Sequence, residues 1–302
     1  MKKVFLFPGQ GSQYPGMCKY LYEQFDYAKD LIKISDNILE YNIKNILTND
    51  NDELINRTKY TQPAIFIYSM ILDRYLKDEG YEPSACAGHS LGEYSALVSL
   101  NIITFEDALQ TIKNRANKME DIGKNLPGSM AAIINFNINK ITEILTSYDN
   151  NIVIANYNTD NQINVSGYKD SINELIRNAK DHGIRTIIPL NVSGAFHSPL
   201  MKNARIYLEK FIKSIEFHDT KTPIYQNVCP KKNFDSQKIK NNIIKQIDQP
   251  VRWSDTIKNM KNDGFKDYIE VGPKNILTNF NKKIIPELNT INCEILTENI
   301  KS

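Results

Sequence analysis

The chain of 302 residues has few cysteines, histidines and tryptophans: four, four and one. Cys18, Cys86, Cys229 and Cys293 lie far apart with no Cys-x-x-Cys pair, which excludes a disulfide framework or a common zinc pattern and fits reduced cytoplasmic thiols. No apolar run reaches membrane-spanning length, and the run from Val4 to Phe7 is too short for a secretory signal and stops at Pro8. An excess of one charge is also missing. The 37 basic and 35 acidic residues leave a net +2, which argues against a chain built to hold nucleic acid. Repeats and low-complexity linkers are absent. What is left is a globular cytoplasmic protein, with no membrane or nucleic-acid partner and expected to be a monomer. Its 41% of hydrophobic residues is enough for a sizeable core. The mean hydropathy of -0.43 reflects abundant Asn and Lys.

What is present alternates. Val4–Phe7 reads as a buried strand that ends in the loop Pro8-Gly9-Gln10-Gly11-Ser12-Gln13. Helical patterns follow at 17–25, 27–39 and 63–76, the last with Pro63 at an early position where its missing N–H costs nothing, and then at 105–119. Strands alternating with helices imply an α/β core with a mainly parallel sheet. Between Pro127 and Val192 the rhythm changes to strand 130–136, helix 139–148, strands 152–155 and 162–166 around an Asn- and Asp-rich turn, helix 171–182 before Gly183, and strand 184–190. That βαββαβ order marks a ferredoxin-like insertion. The expected division is therefore a large hydrolase-like core, 1–126 with 193–302, and a small subdomain, 127–192.

The segment Gly88-His89-Ser90-Leu91-Gly92 has the Gly-x-Ser-x-Gly pattern of a nucleophile elbow, where a serine sits at a tight strand-to-helix turn near free backbone N–H groups. Such a serine needs a base. His182 precedes a helix-ending glycine, His218 lies in a polar stretch, and His89 adjoins Ser90 but points elsewhere in an elbow. His197, in Val192-Ser193-Gly194-Ala195-Phe196-His197-Ser198-Pro199, enters a helix where the insertion returns to the core, and either a catalytic or a capping role fits. Arg115 shares the apolar stripe of Ala108, Ile112, Ala116 and Met119. A guanidinium there pairs with a protein carboxylate, snorkels, or clamps a substrate carboxylate, and the pattern alone favours the structural roles. The loop Gly9–Gln13 lacks the spacing of a phosphate or dinucleotide site and is better placed to supply a backbone N–H opposite the elbow.

Seven segments together resemble the malonyl-CoA:acyl carrier protein transacylase family. They are Phe7-Pro8-Gly9-Gln10-Gly11-Ser12-Gln13, Thr61-Gln62-Pro63-Ala64, Gly88-His89-Ser90-Leu91-Gly92-Glu93-Tyr94-Ser95-Ala96, Arg115, Gly194-Ala195-Phe196-His197-Ser198, Gln246 to Trp253, and Glu270-Val271-Gly272-Pro273. The resemblance implies Ser90 as nucleophile and His197 as base, with the histidine oriented by a backbone carbonyl near Gln246 instead of a carboxylate. It implies an oxyanion hole from the N–H groups of Gln10 and Leu91, Arg115 on the malonyl carboxylate, Gln62 at the substrate, and Phe196 against branched acyl groups. The implied substrates are malonyl-CoA and a holo acyl carrier protein or a polyketide synthase carrier domain, with no cofactor or metal. Lys231-Lys232 or Lys282-Lys283 could meet the acidic carrier, although exposed lysines are usually only solvated. A hydrolase of carrier-protein thioesters would use the same Ser90 and His197, and an inactive docking module would need neither.

Overall fold

Val4–Phe7 and Ala85–Ala87 are too short for helices and fully buried, so their backbone groups pair in a parallel sheet at the centre of the molecule. The computed structural model describes residues 2–50 and 53–298. Its strands are β1 (Lys3–Phe7), β2 (Pro83–Gly88), β3 (Gly128–Ile134), β4 (Ile152–Thr159), β5 (Gln162–Tyr168), β6 (Thr186–Pro189), β7 (Ile224–Tyr225), β8 (Lys232–Asn233), β9 (Asp267–Glu270) and β10 (Asn289–Asn292). Six form one sheet in the order β10-β9-β1-β2-β7-β8, parallel except for the β7–β8 pair. The other four form an antiparallel sheet, β4-β5-β3-β6. With helices Ile138–Thr146 and Lys169–Arg177 it has the βαββαβ order of a ferredoxin-like unit.

The small sheet has two different faces because side chains alternate along a strand. Ala131, Ile133, Ile163 and Val165 pack with Ile141, Leu145, Ile172 and Leu175 of the two helices. Met130, Ala132 and Asn164 line the cleft on the other face, toward the large sheet. The strand β4 is tied to the rest of the chain through Val251, whose carbonyl accepts the Tyr157 N–H at 2.8 Å and whose N–H donates to Ala155 at 2.9 Å.

Several elements differ from the sequence expectation. The helix expected at 63–76 runs Thr58–Asp78, so Pro63 is internal. Proline has no N–H to give the Lys59 carbonyl, and the Tyr41 hydroxyl donates to that carbonyl instead at 3.4 Å. The helix expected at 105–119 continues to Asn125, capped at its start by the Thr104 side chain on the Asp107 N–H. The helix expected at 171–182 spans Lys169–Arg177, with a further turn leading to Gly183 at φ 69°. Finally, β4 runs on through Thr159, so most of the Asn-rich segment read as a turn is strand. Asn156 and Asn158 hold their places there by hydrogen bonds to Asn164 and His89.

Candidate active site

Ser90 stands where β2 turns into the helix Gly92–Ser99. The turn closes only on glycine: a Cβ on Gly88 would lie 1.9 Å from the Gly92 carbonyl carbon, and one on Gly92 would lie 2.0 Å from the Phe7 carbonyl oxygen. Ser90 itself has φ 53°, and His197 has φ 56°. Left-handed backbone at a residue with a side chain costs of order 1–3 kcal/mol, so the surroundings must hold both residues in place.

They do so through side chains from three segments. Asn227 Oδ1 accepts the Ser90 N–H at 2.7 Å, and Asn227 Nδ2 donates to the Gly88 carbonyl at 2.6 Å. Gln246 Nε2 donates to the Ser90 carbonyl at 2.6 Å. Behind them, the buried Glu93 accepts from the Asn227 N–H, from Gln226 Nε2 and from Gln246 Nε2, at 2.9, 2.9 and 3.3 Å. Burial pushes the Glu93 carboxyl up to about 7. Ser90 thus spends its own N–H on Asn227. The N–H groups of Gln10 and Leu91, both on the wall of the pocket, have no acceptor among the described residues.

His197 is 4% exposed and lies against Ser90, with Oγ to Nε2 at 2.7 Å. Its Nδ1 faces two carbonyls, Gln246 at 3.0 Å and Gln249 at 3.1 Å. Two acceptors at Nδ1 require the proton there, so Nε2 carries the lone pair and the Ser90 hydroxyl donates to it. Burial, with the Arg115 charge adding to it, pushes the imidazole down to about 3, so the ring is neutral with its Nε2 lone pair free.

Arg115 is 1% exposed. Its Nη1 donates to Gln62 Oε1 at 2.7 Å, and its Nη2 donates to Ser90 Oγ at 3.0 Å and to Gln246 Oε1 at 3.4 Å. Its Nε has no partner, and no carboxylate among the described residues pairs with it directly. Gln62 is held in turn by donating to Met119 Sδ at 3.5 Å. A buried cation without a counter-ion is a site that awaits an anion. The pocket beside it, about 100 Å³, is bounded by Met119, Met130, Leu190 and Phe196. That is room for a short acyl group beside the guanidinium.

The same geometry matches known proteins. Residues 4–301 fit the family described as the acyl transferase domain. The chain belongs to that family. It is an acyltransferase. A curated relative in Staphylococcus aureus (strain MRSA252), named malonyl CoA-acyl carrier protein transacylase, is 37% identical over 286 residues, covering 94% of this chain and 92% of its own. A solved malonyl-CoA:ACP transacylase from Synechocystis has a TM-score of 0.89 at 33% identity, covering 97% of each chain. A malonyl-transacylase solved with its type II PKS acyl-carrier protein has a TM-score of 0.90 at 29% identity over 100% of both chains.

Every site residue expected from the sequence lines this one pocket or touches Ser90 or His197: Gln10, Gln62, Leu91, Arg115, Phe196 and Gln246. The remaining histidines of the acyltransferase lie elsewhere or are otherwise engaged. His89 Nε2 meets Asn158 Oδ1 at 2.9 Å with its ring beside Trp253, His182 packs on Tyr148, and the His218 side chain is 55% exposed. Of the lysine pairs considered for a partner, Lys232 is drawn to Asp263 at 3.3 Å, while Lys282 and Lys283 end the helix Ile276–Ile284. Sequence reading missed Asn227, Glu93, Asn156, Asn158 and Asn164. Glu93 stood within a quoted segment, but the asparagines had no signal beyond their abundance. No helix among the described residues is long and apolar enough to cross a membrane.

Proposed function

We propose that this acyltransferase moves the malonyl group of malonyl-CoA to the phosphopantetheine thiol of an acyl carrier protein through a malonyl-Ser90 intermediate. The observation that carries the reading is Arg115, a buried guanidinium with no carboxylate of its own, 3.0 Å from the Ser90 hydroxyl. An acetyl group would leave it unpaired, whereas malonate satisfies it with two charged hydrogen bonds.

Ser90 Oγ attacks the thioester carbonyl while its proton passes to His197 Nε2. The Gln10 and Leu91 N–H groups take the charge that develops on the carbonyl oxygen. As the tetrahedral intermediate collapses, the carbon–sulfur bond breaks and the proton on His197 goes to the departing thiolate, releasing coenzyme A. The carrier thiol then gives its proton to His197, attacks malonyl-Ser90, and the ester bond breaks with that proton returning to Oγ. The Gln246 and Gln249 carbonyls stabilise the imidazolium in each half-reaction, in place of the carboxylate of a Ser-His-Asp triad. All of these steps run on side chains and backbone of the chain, so no cofactor enters the proposal.

In this reading the large sheet and its helices, 1–126 with 193–302, carry the nucleophile and base, and residues 127–192 form a separate subdomain that closes the cleft. The acceptor is a carrier of fatty-acid or polyketide synthesis: one relative is named for an acyl carrier protein with no pathway given, and another is solved with a type II PKS acyl-carrier protein. Thioester hydrolysis is disfavoured by Arg115, which water as acceptor does not require. Intact-mass measurement after mixing with malonyl-CoA, then with holo carrier protein, tests the proposal. A malonyl adduct on Ser90 that moves to the carrier supports it. An adduct that only decays to free malonate points to a hydrolase, and no adduct at all overturns the malonyl reading.

A further inference from the structure

The carbonyls under His197 belong to a short piece of chain that has to be held still. A Ser-His-Asp triad fixes its imidazole with a carboxylate on a side chain. Here the Gln246 and Gln249 carbonyls do so, at 3.0 and 3.1 Å from Nδ1, and a backbone carbonyl points wherever its segment lies. That segment is a single turn, Gln246–Asp248, between the helix Ser236–Lys245 and Pro250. Pro250 has no N–H to give, so the first backbone donor past Gln249 is Val251, whose N–H meets the Ala155 carbonyl at 2.9 Å.

Asp248 stands between the two residues that supply those carbonyls. Its Oδ2 accepts from Arg205 Nε at 2.7 Å, with the Asp248 side chain 9% exposed and that of Arg205 30%. Arg205 lies on the helix Lys202–Ser214, which the chain enters directly from His197. Ser198 makes that entry rigid, since its Oγ donates to the Ala195 carbonyl at 2.7 Å and accepts the Leu200 N–H at 3.3 Å. The segment of the ring and the segment of its carbonyls are therefore joined twice. Ile247 is buried in the same apolar cluster as Met201 and Ala204, and the Arg205–Asp248 pair closes the polar side. Apolar contact is non-directional and lets two segments slide, whereas a charged hydrogen bond fixes their register. A fully exposed pair would add little, but the Asp248 carboxylate is largely shut off from water.

We infer that Arg205 and Asp248 are positioning residues for the base. Their ion pair holds the carbonyl turn against the helix that follows His197, and so sets the aim of Nε2 at Ser90 Oγ, 2.7 Å away. The inference rests on the role of His197 proposed above. Neither residue lines the acyl pocket, so their loss slows the bond-making step and leaves substrate binding as it was.

The test uses Arg205→Met and Asp248→Leu, each of which removes one partner, the double variant, and Asp248→Asn, which can still accept from Arg205 Nε. Two rates are followed on each. One is malonyl transfer from malonyl-CoA to a holo acyl carrier protein. The other is phosphonylation of Ser90 by a small fluorophosphonate, in which Oγ bonds to phosphorus, its proton passes to His197 and fluoride leaves. Each single variant lowers kcat roughly 10-fold with KM for malonyl-CoA unchanged, and slows phosphonylation by the same factor. The double variant loses no more than the singles, because the two residues act as one unit, and Asp248→Asn keeps most of the rate. Thermal unfolding identifies the variants that are folded at the assay temperature. Wild-type rates in those variants overturn the inference, whether or not the melting temperature has dropped. A raised KM with normal phosphonylation overturns it as well. If malonyl-CoA acylates not even the wild-type chain, the transfer reading fails by itself, and phosphonylation still decides for or against the pair.

Discussion

Nη2 of Arg115 lies 3.0 Å from Oγ of Ser90, while His197 Nε2 lies 2.7 Å from the same oxygen. One hydroxyl therefore donates to a neutral imidazole and accepts from a cation that also has work to do on the substrate. The cation disfavours a proton on His197, and in the proposed reaction the substrate carboxylate draws the guanidinium to itself.

Replacing Arg115 with alanine removes the clamp. The expected result is a loss of about 10²- to 10³-fold in kcat/KM for malonyl-CoA, the scale of a broken buried ion pair, with acetyl-CoA falling far less. Competition between the two donors, read by the mass of the Ser90 adduct, checks it. Equal losses on both would assign Arg115 to the serine alone.

The pH dependence follows from burial. With its pKa at about 3 against an ordinary 6.5, His197 stays neutral in the folded enzyme well below pH 6.5. The acylation rate should therefore show no inflection near 6.5. Stability behaves differently. As pH falls from 6.5 toward 3 the unfolded chain binds a proton that folded His197 refuses, so the stability it contributes above 6.5 is lost. Glu93 has the opposite sign. Its carboxyl is raised to about 7 from 4.5, so the folded state holds the proton and the stability present below 4.5 is lost as pH rises through 7. Urea midpoints across this range for wild type, His197→Gln and Glu93→Gln separate the two slopes.

Asn227 braces the elbow by accepting from the Ser90 N–H and donating to the Gly88 carbonyl. Asn227→Leu leaves both backbone groups buried and unpaired. The expected cost is about 2 kcal/mol of stability, with a fall in kcat of at least about tenfold from the displaced serine. Thermal unfolding together with steady-state kinetics measures both. A variant that loses stability but keeps wild-type kcat would show that the elbow holds its shape without Asn227.

Phe196, 6% exposed, forms part of the wall of the acyl pocket. Phe196→Ala should raise the preference for methylmalonyl-CoA over malonyl-CoA by about tenfold, the worth of room for one methyl group. A mixture of the two donors, analysed for the Ser90 adduct, reads the ratio directly.

The large sheet and the elbow were legible because their signals are local, whereas His197 stood out from the other histidines only by its loop position and by the family resemblance. Gly88 is required by contacts with Gly92 and Glu93 close by in the chain. Gly92 is required by the Phe7 and Pro8 carbonyls at the end of the neighbouring strand but falls inside the same five-residue pattern, and Arg115 betrayed itself by sitting in an apolar stripe. The rest depends on partners far away in the chain. Pro63 looks like the start of a helix unless Tyr41 is known to cover the carbonyl it leaves bare. The segment Asn156–Thr159 looks like a turn until His89 and Asn164 are seen to hold its asparagines in strand. Asn227 lies 137 residues from the amide it accepts, and no periodicity in the sequence announces such a bond.

The tie between β4 and Val251 has a mechanical side. Val251 lies one residue past Pro250, which follows Gln249, and Gln249 with Gln246 supplies the carbonyls on which the His197 ring rests. The roof of the cleft and the cradle of the base are thus fastened to the same short rail. The rail therefore ties the seating of the small sheet to the two carbonyls that fix the ring, and so to the 2.7 Å contact between His197 Nε2 and Ser90 Oγ.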